Sequence, residues 1–203
     1  MTELYLLTPP RVGADFEALL SRTLAAGRVA ALQIRLKDHA PDEIRALAPG
    51  LVAAARAHGA TVMLNDDPQL AAELGCDGVH IGQEDASYAQ ARAAMGPKGI
   101  VGVTCHDSRH LAMVAGERGA DYVAFGSMFP TATKTPKTSA PLSLISWWRE
   151  LFEIPCVAIG GITTETAPEV IAAGADYIAV CAGVWSHPKG PEYACAAFSR
   201  LLD

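Results

Sequence analysis

The chain has 203 residues, half of them apolar and 19% charged, with a formal net charge of −6. This length suits one (β/α)8 barrel or one doubly wound sheet, and no long polar tract divides it, so residues 1–203 are expected to form a single domain. The acidic balance and the lack of a Lys/Arg run argue against a general nucleic-acid or anionic-membrane surface, so a bound anion must be caught by a local site.

Met1 to Tyr5 carry no basic segment followed by a signal-like apolar stretch, and no apolar run approaches the roughly twenty residues that span a bilayer; a cytoplasmic protein is expected. Leu4 to Leu7 reads as the first strand, and Phe16 to Ala26 as an amphipathic helix capped by Asp15. The second strand, Val29 to Ile34, leads through Gln33-Ile34-Arg35-Leu36-Lys37. Alternation points Gln33, Arg35 and Lys37 to one side, so an amide and two cations converge. Alone, such a triplet is equally well explained by solvation at a strand end. After a helix at Asp42 to His58, the third strand, Thr61 to Leu64, ends in Asn65-Asp66-Asp67. A helix at Pro68 to Leu74 then precedes a fourth strand that runs through His80 and Gly82 into Gln83-Glu84-Asp85. A lone loop aspartate is usually a turn or cap residue. Two acidic loops on neighbouring strands beside Arg35 and Lys37 are less easily set aside, because carboxylates together with diphosphate oxygens are what Mg²⁺ prefers. Asp66 and Asp85 are therefore the candidate metal ligands. Asp67 and Glu84 are read as supporting or surface residues, and His80 as a packed strand histidine.

A helix at Tyr88 to Met95, capped by Ser87, leads to a fifth strand at Ile100 to Val103. Cys105 and His106 follow it, and their adjacency is weak evidence for a nucleophile pair. Arg109 to Arg118, capped by Ser108, is the next helix. The sixth strand, within Gly119 to Gly126, opens into a loop from Ser127 to Lys134 rich in hydroxyls. Lys134, closing Thr131-Ala132-Thr133-Lys134, is a suitable point charge for a leaving pyrophosphate, and Thr135 to Ser139 are expected to form part of a mobile lid. A helix at Leu144 to Phe152, capped by Ser143, and a strand at Cys156 to Ile159 lead to Gly160-Gly161-Ile162. Ala167 to Ala173, with Thr164 as cap, precedes the eighth strand, which ends in Val180-Cys181-Ala182-Gly183. Small residues let a ligand approach the backbone, and in (β/α) barrels the loops after strands seven and eight often cup a phosphate with backbone N–H groups.

Three of these strands open on the same pattern, Gly75-Cys76-Asp77, Gly119-Ala120-Asp121 and Gly174-Ala175-Asp176, each after an alanine-rich helix. The repeating unit is helix, glycine turn, strand. Eight such units favour a closed (β/α)8 TIM barrel over an open sheet, and a barrel carries its chemistry at the carboxyl ends of its strands. The five cysteines are odd in number and lack zinc-site spacing, so they read as reduced and mostly buried thiols. Trp147, Trp148 and Trp185 are read chiefly as core residues, with packing against a second copy of the chain, a homo-oligomer, as the alternative.

Taken together, Gln33-x-Arg35-x-Lys37, Asn65-Asp66-Asp67, Gly82-Gln83-Glu84-Asp85, Phe129-Pro130-Thr131-Ala132-Thr133-Lys134 and Ile159-Gly160-Gly161-Ile162 resemble the thiamine-phosphate synthase family, over residues 4 to about 185. The resemblance implies a transferase that joins hydroxymethylpyrimidine diphosphate to hydroxyethylthiazole phosphate and releases pyrophosphate, with Mg²⁺ as cofactor. It implies that Gln33 bonds the aminopyrimidine, that Arg35, Lys37, Asn65 and Lys134 hold the diphosphate, and that Asp66 and Asp85 hold the metal. Thr104 matches a family serine that contacts the diphosphate, and Thr131 and Thr133 match hydroxyls of the substrate loop. Gly161 and the backbone of Cys181 and Ala182 correspond to the thiazole-phosphate cup. The chain departs from the family in carrying Ala182 and Thr104 where serines are usual, which bears on affinity rather than on the reaction. No protein nucleophile is implied: Arg35, Lys37 and Lys134 would act by neutralising charge on the leaving group.

The nearest rival is a thiazole tautomerase-like isomerase on the same barrel, but that branch carries a histidine where this chain has Ser127 and lacks the complete Thr-x-Thr-Lys loop. A non-catalytic barrel that binds a phosphorylated metabolite would not need the paired carboxylates, and sugar-phosphate epimerases do not explain the Gln-x-Arg-x-Lys strand.

Overall fold

The structure is a computed structural model that describes residues 1–131 and 138–203. Eight strands close into a barrel in sequence order, β1 (Glu3–Leu7), β2 (Ala31–Ile34), β3 (Thr61–Asn65), β4 (Gly78–Ile81), β5 (Ile100–His106), β6 (Tyr122–Gly126), β7 (Cys156–Ile159) and β8 (Tyr177–Val180), and each neighbouring pair is parallel. The crossovers are α1 (Phe16–Ala25), α2 (Pro41–Ala57), α3 (Pro68–Glu73), α4 (Tyr88–Met95), α5 (Arg109–Glu117), α6 (Leu142–Leu151) and α7 (Ala167–Ala172), followed by the short α8 (Ala182–Trp185) and the C-terminal α9 (Pro191–Leu202). The expected barrel is thus the observed fold. β5 runs three residues beyond its expected end, with a register shift between Thr104 and His106, both of which line the mouth.

Alternation divides the apolar residues into two cores. Leu4, Leu6, Leu32, Ile34, Val62 and Leu64 face outward under the helices, whereas Tyr5, Leu7, Met63, Tyr122 and Val157 fill the barrel. The filling is large against small: a Cβ on Gly102 would run into the Tyr122 ring, and one on Gly78 would meet the Ile100 side chain at 2.6 Å. Trp148 is fully buried, stacked on Phe152 with ring centroids 4.0 Å apart, and Trp185 packs on Phe16 and donates its indole N–H to the Leu7 carbonyl at 2.6 Å. The tryptophans serve the protomer's own packing.

The Gly-x-Asp repeat closes the floor of the barrel. Gly75, Gly119 and Gly174 take φ of +65°, +91° and +92° just past their helices. Each following aspartate then brackets the first or second residue of the preceding odd strand. The Asp77 carboxylate accepts from Val62 N–H at 2.7 Å while Asp77 N–H donates to Val62 C=O at 2.8 Å. Asp121 does the same with Val101 and Asp176 with Cys156. An arginine from the helix that precedes each odd strand completes the unit: Arg56 of α2 on Asp77, Arg92 of α4 on Asp121 and Arg149 of α6 on Asp176.

Of the expected caps, Ser87 and Ser108 accept the N3 amides of α4 and α5. Asp15 sits at the start of α1 without a side-chain capping bond. Two are corrected. α6 begins at Leu142 on Pro141, whose ring presets the backbone, rather than after Ser143, and α7 begins after Thr166, whose hydroxyl accepts from Thr163 N–H at 2.9 Å, rather than after Thr164. Asp67 caps α3, accepting from Leu70 N–H at 2.9 Å, as the reading of a lone loop aspartate anticipates.

Candidate active site

The carboxyl ends of the strands surround a cavity of about 1110 Å³, and it collects the strand-end residues picked out above. Gln33, Arg35 and Lys37 all line it, as alternation requires, and Thr8, just past β1, steadies the run by accepting the Arg35 N–H at 2.8 Å on its hydroxyl. Asn65 and Asp66 enter from β3, Asp85 from the turn after β4, Thr104 from β5, Thr131 from the loop after β6, Gly161 after β7, and Cys181 with Ala182 after β8. Thr133 and Lys134 lie outside the described residues, as do Thr135 to Lys137 of the expected lid. The return of that loop is tied to the end of β6: Ser127 N–H donates to Thr138 C=O at 3.2 Å, Ala140 N–H to Ser127 C=O at 2.9 Å, and the Thr138 hydroxyl to Gly126 C=O at 3.0 Å.

The carboxylates meet. Asp66, in the left-handed region at φ +72°, lies against Asp85 and forms an ion pair with Lys37. Burial and the neighbouring Asp85 carboxyl hold its pKa above the ordinary range, opposed by Lys37. Asp85 is positioned by a tight turn in which one of its oxygens accepts from Gly82 N–H at 2.7 Å, and Gln83 bridges to the Thr104 carbonyl at 2.6 Å.

On the opposite wall, Gly160 and Gly161 take φ of +105° and +65° and bring the backbone against Ser127, Phe129 and Pro130; a Cβ on Gly161 would sit 2.8 Å from that of Phe129. α8 follows directly on β8, so the N–H groups of Ala182 and Gly183, in its first turn, have no carbonyl of their own helix to bind. A cup of glycine backbone and unpaired helix N–H groups thus faces a cation-and-carboxylate cluster across one mouth.

His80 is a packed strand residue, but more than a filler. Its ring is 9% exposed, stacks on Tyr122 and hydrogen-bonds at both nitrogens, Nδ1 to Tyr122 at 2.8 Å and Nε2 to Thr104 at 2.7 Å. Burial, with Arg35 adding to it and Asp85 opposing, pushes its pKa down to about 4, so the ring is neutral at pH 7. Tyr122 in turn bonds Tyr5 at 2.9 Å, and Gln33 Nε2 donates to Tyr5 at 3.0 Å. Tyr5 and Tyr122 were not singled out from the sequence; the available signal was two tyrosines at inward positions of strands. The Cys105–His106 pair does not form a nucleophile site: Cys105 is fully buried among the outward core residues, and burial pushes its thiol up to about 12, whereas His106 lines the cavity.

A closed (β/α)8 barrel with an acidic pair, cations and a glycine cup at its mouth defines a barrel built to handle phosphorylated substrates. A family model described as thiamine monophosphate synthase matches residues 4–184. The thiamine-phosphate synthase of Rhodospirillum centenum is 58% identical over 98% of this chain and 97% of its own length, and that of Hyphomonas neptunium is 46% identical over 100% and 94%. Among solved structures, the thiamine phosphate pyrophosphorylase from Pyrococcus furiosus superposes with a TM-score of 0.87 at 29% identity, covering 98% of this chain and 95% of that one. The chain belongs to the thiamine monophosphate synthase family, as its motifs anticipate.

Proposed function

We propose that residues 1–203 act as one catalytic domain, a cytoplasmic thiamine-phosphate synthase that condenses hydroxymethylpyrimidine diphosphate with hydroxyethylthiazole phosphate and needs no nucleic acid or membrane. The observation that carries this reading is the pairing of Asp66 with Asp85 beside Lys37, across one cavity from the Gly160-Gly161 and Ala182-Gly183 cup. One wall suits a diphosphate with its metal, and the other a monophosphate. A tautomerase would need the cup and not the acidic pair, and Ser127, which donates to the Phe129 carbonyl at 2.6 Å, offers no acid–base group where that branch has histidine.

The donor set fits Mg²⁺: two carboxylates drawn together, hard oxygen ligands both, with diphosphate oxygens and water left to complete the shell because no third His, Cys, Asp or Glu joins them among the described residues. Bound by Asp66 and Asp85, Mg²⁺ would supply neutralisation of charge on the diphosphate. Arg35 and Asn65 make no side-chain bonds among the described residues and are available to the same oxygens, as is Lys37 once the metal shares Asp66. In this reading the C–O bond to pyrophosphate breaks first, and the thiazole nitrogen attacks the pyrimidine-stabilised methylene cation. The chain's contribution is to hold the leaving group by Arg35, Lys37 and Lys134, to place the thiazole through the cup around Gly161, Cys181 and Ala182, and to keep water out.

Incubation with both substrates and Mg²⁺, following thiamine phosphate and pyrophosphate by chromatography, tests the proposal. Equal release of both supports it. Neither product, under conditions where an established synthase makes them, overturns it.

A further inference from the structure

Five polar side chains cross the barrel interior in one row. Gln33 Nε2 meets the Tyr5 hydroxyl at 3.0 Å, Tyr5 meets Tyr122 at 2.9 Å, Tyr122 meets His80 Nδ1 at 2.8 Å, and His80 Nε2 meets the Thr104 hydroxyl at 2.7 Å. All but Thr104 are buried, and both end members reach the lining of the mouth, as does His80. Each phenol and the neutral imidazole have one proton to give, so the row has only two fully bonded arrangements. Running from Gln33, the amide N–H donates to Tyr5, Tyr5 to Tyr122, Tyr122 to Nδ1 and Nε2–H to Thr104. Thr104 must then aim its proton into the mouth, and Gln33 shows its carbonyl there. Running the other way, Thr104 shows lone pairs and Gln33 its NH₂. A mixed arrangement leaves a buried donor or acceptor unmet and is disfavoured.

We propose that this row couples the two ends of the diphosphate substrate's site: a diphosphate oxygen at Thr104 needs a donor, which fixes the proton of His80 on Nε2 and obliges Gln33 to present an acceptor, selecting a ring that carries an amino group. Tyr5, Tyr122 and His80 are positioning residues in this scheme. It rests on the synthase reading for the identity of the substrate, but the row itself is testable without turnover.

The primary readout is the two-bond ¹H–¹⁵N correlation spectrum of protein labelled with ¹⁵N-histidine, with His80 assigned by its loss in His80→Gln, recorded with inorganic pyrophosphate and Mg²⁺. The proton is expected on Nε2. A proton on Nδ1 with pyrophosphate bound overturns the proposal. Tyr122→Phe keeps the ring and removes the link, with Tyr5→Phe as a second break should the first fail to fold. In either variant the preference for the aminopyrimidine diphosphate over its deaminated oxo counterpart, taken as a ratio of kcat/KM, should fall about tenfold, the equivalent of one buried hydrogen bond. An unchanged ratio in a folded variant overturns the coupling, whereas loss of packing alone would lower both rates and leave the ratio. Nε2–H without any thiamine phosphate formed would sustain the row and sink the synthase reading; thiamine phosphate formed with Nδ1–H would do the reverse.

Discussion

His80 and Tyr122 stack inside the barrel with ring centroids 5.6 Å apart and planes 18° from parallel, and they also share a hydrogen bond through Nδ1. The contact makes His80 an acid-sensitive element of the fold. Its pKa falls from 6.5 to about 4 on folding, so between those values the unfolded chain binds a proton that the native one refuses. Stability from this group is complete above pH 6.5 and declines at about 1.4 kcal/mol per pH unit on acidification, levelling off below the folded pKa. Urea titrations of wild type and His80→Gln across this window should converge as the pH falls. A constant difference between them would contradict a depressed His80 pKa.

At the opposite end of the barrel, Asp121 takes the Val101 amide at 2.7 Å and Arg92 at 2.5 Å. Asp121→Ala leaves the Val101 N–H of β5 and the partly buried Arg92 guanidinium short of their acceptor. The expected loss is about 1–3 kcal/mol of unfolding free energy, with the KM of both substrates unchanged because the floor is remote from the mouth. Thermal melts and steady-state kinetics on the same preparation check both halves.

The repeat that contains Asp121 is legible in the sequence, and so is the order of the strands, because glycine turns and apolar runs are local signals. The convergence of Gln33, Arg35, Lys37, Asp66 and Asp85 was legible for a related reason: alternation sets the side, and a parallel barrel brings all carboxyl ends to one face. The use of the repeated aspartates was not legible, since each reaches a strand 15 to 20 residues back in the chain. Nor was the interior row, whose contacts join residues 24 to 117 positions apart. Such contacts depend on which inward positions fall level after closure, and that is set by register rather than by composition. The misplaced caps at Ser143 and Thr164 have a simpler cause: each helix offers several polar or proline starts within three residues, and backbone geometry chooses among them.

Gly161 tests the cup. Its φ of +65° is unfavourable for any residue with a Cβ, and a Cβ would press on Phe129 and on the Pro130 carbonyl. Gly161→Ala should cost about 1–2 kcal/mol of local strain. Because relief requires the backbone to shift where the monophosphate is proposed to sit, the KM for the thiazole phosphate should rise about tenfold while that for the pyrimidine diphosphate stays within error. An equal rise in both would place the thiazole phosphate elsewhere.

Asp85 separates metal binding from simple charge balance. Asp85→Asn keeps an oxygen able to accept from Gly82 N–H, so the turn should survive, but it removes one of the two carboxylates and with it one cause of the raised Asp66 pKa. Asp66 is then left paired with Lys37 alone, a neutral couple with little attraction for a divalent cation. If the acidic pair holds Mg²⁺, the Mg²⁺ concentration for half-maximal activity should rise, and the rate at moderate Mg²⁺ should fall about a hundredfold, with partial recovery at high concentration. If the pair merely balances Arg35 and Lys37, the variant should instead gain affinity for pyrophosphate measured without metal and keep its Mg²⁺ dependence. Titration of activity against Mg²⁺, beside calorimetry with pyrophosphate alone, distinguishes the two, because they move the apparent metal affinity and the metal-free anion affinity separately.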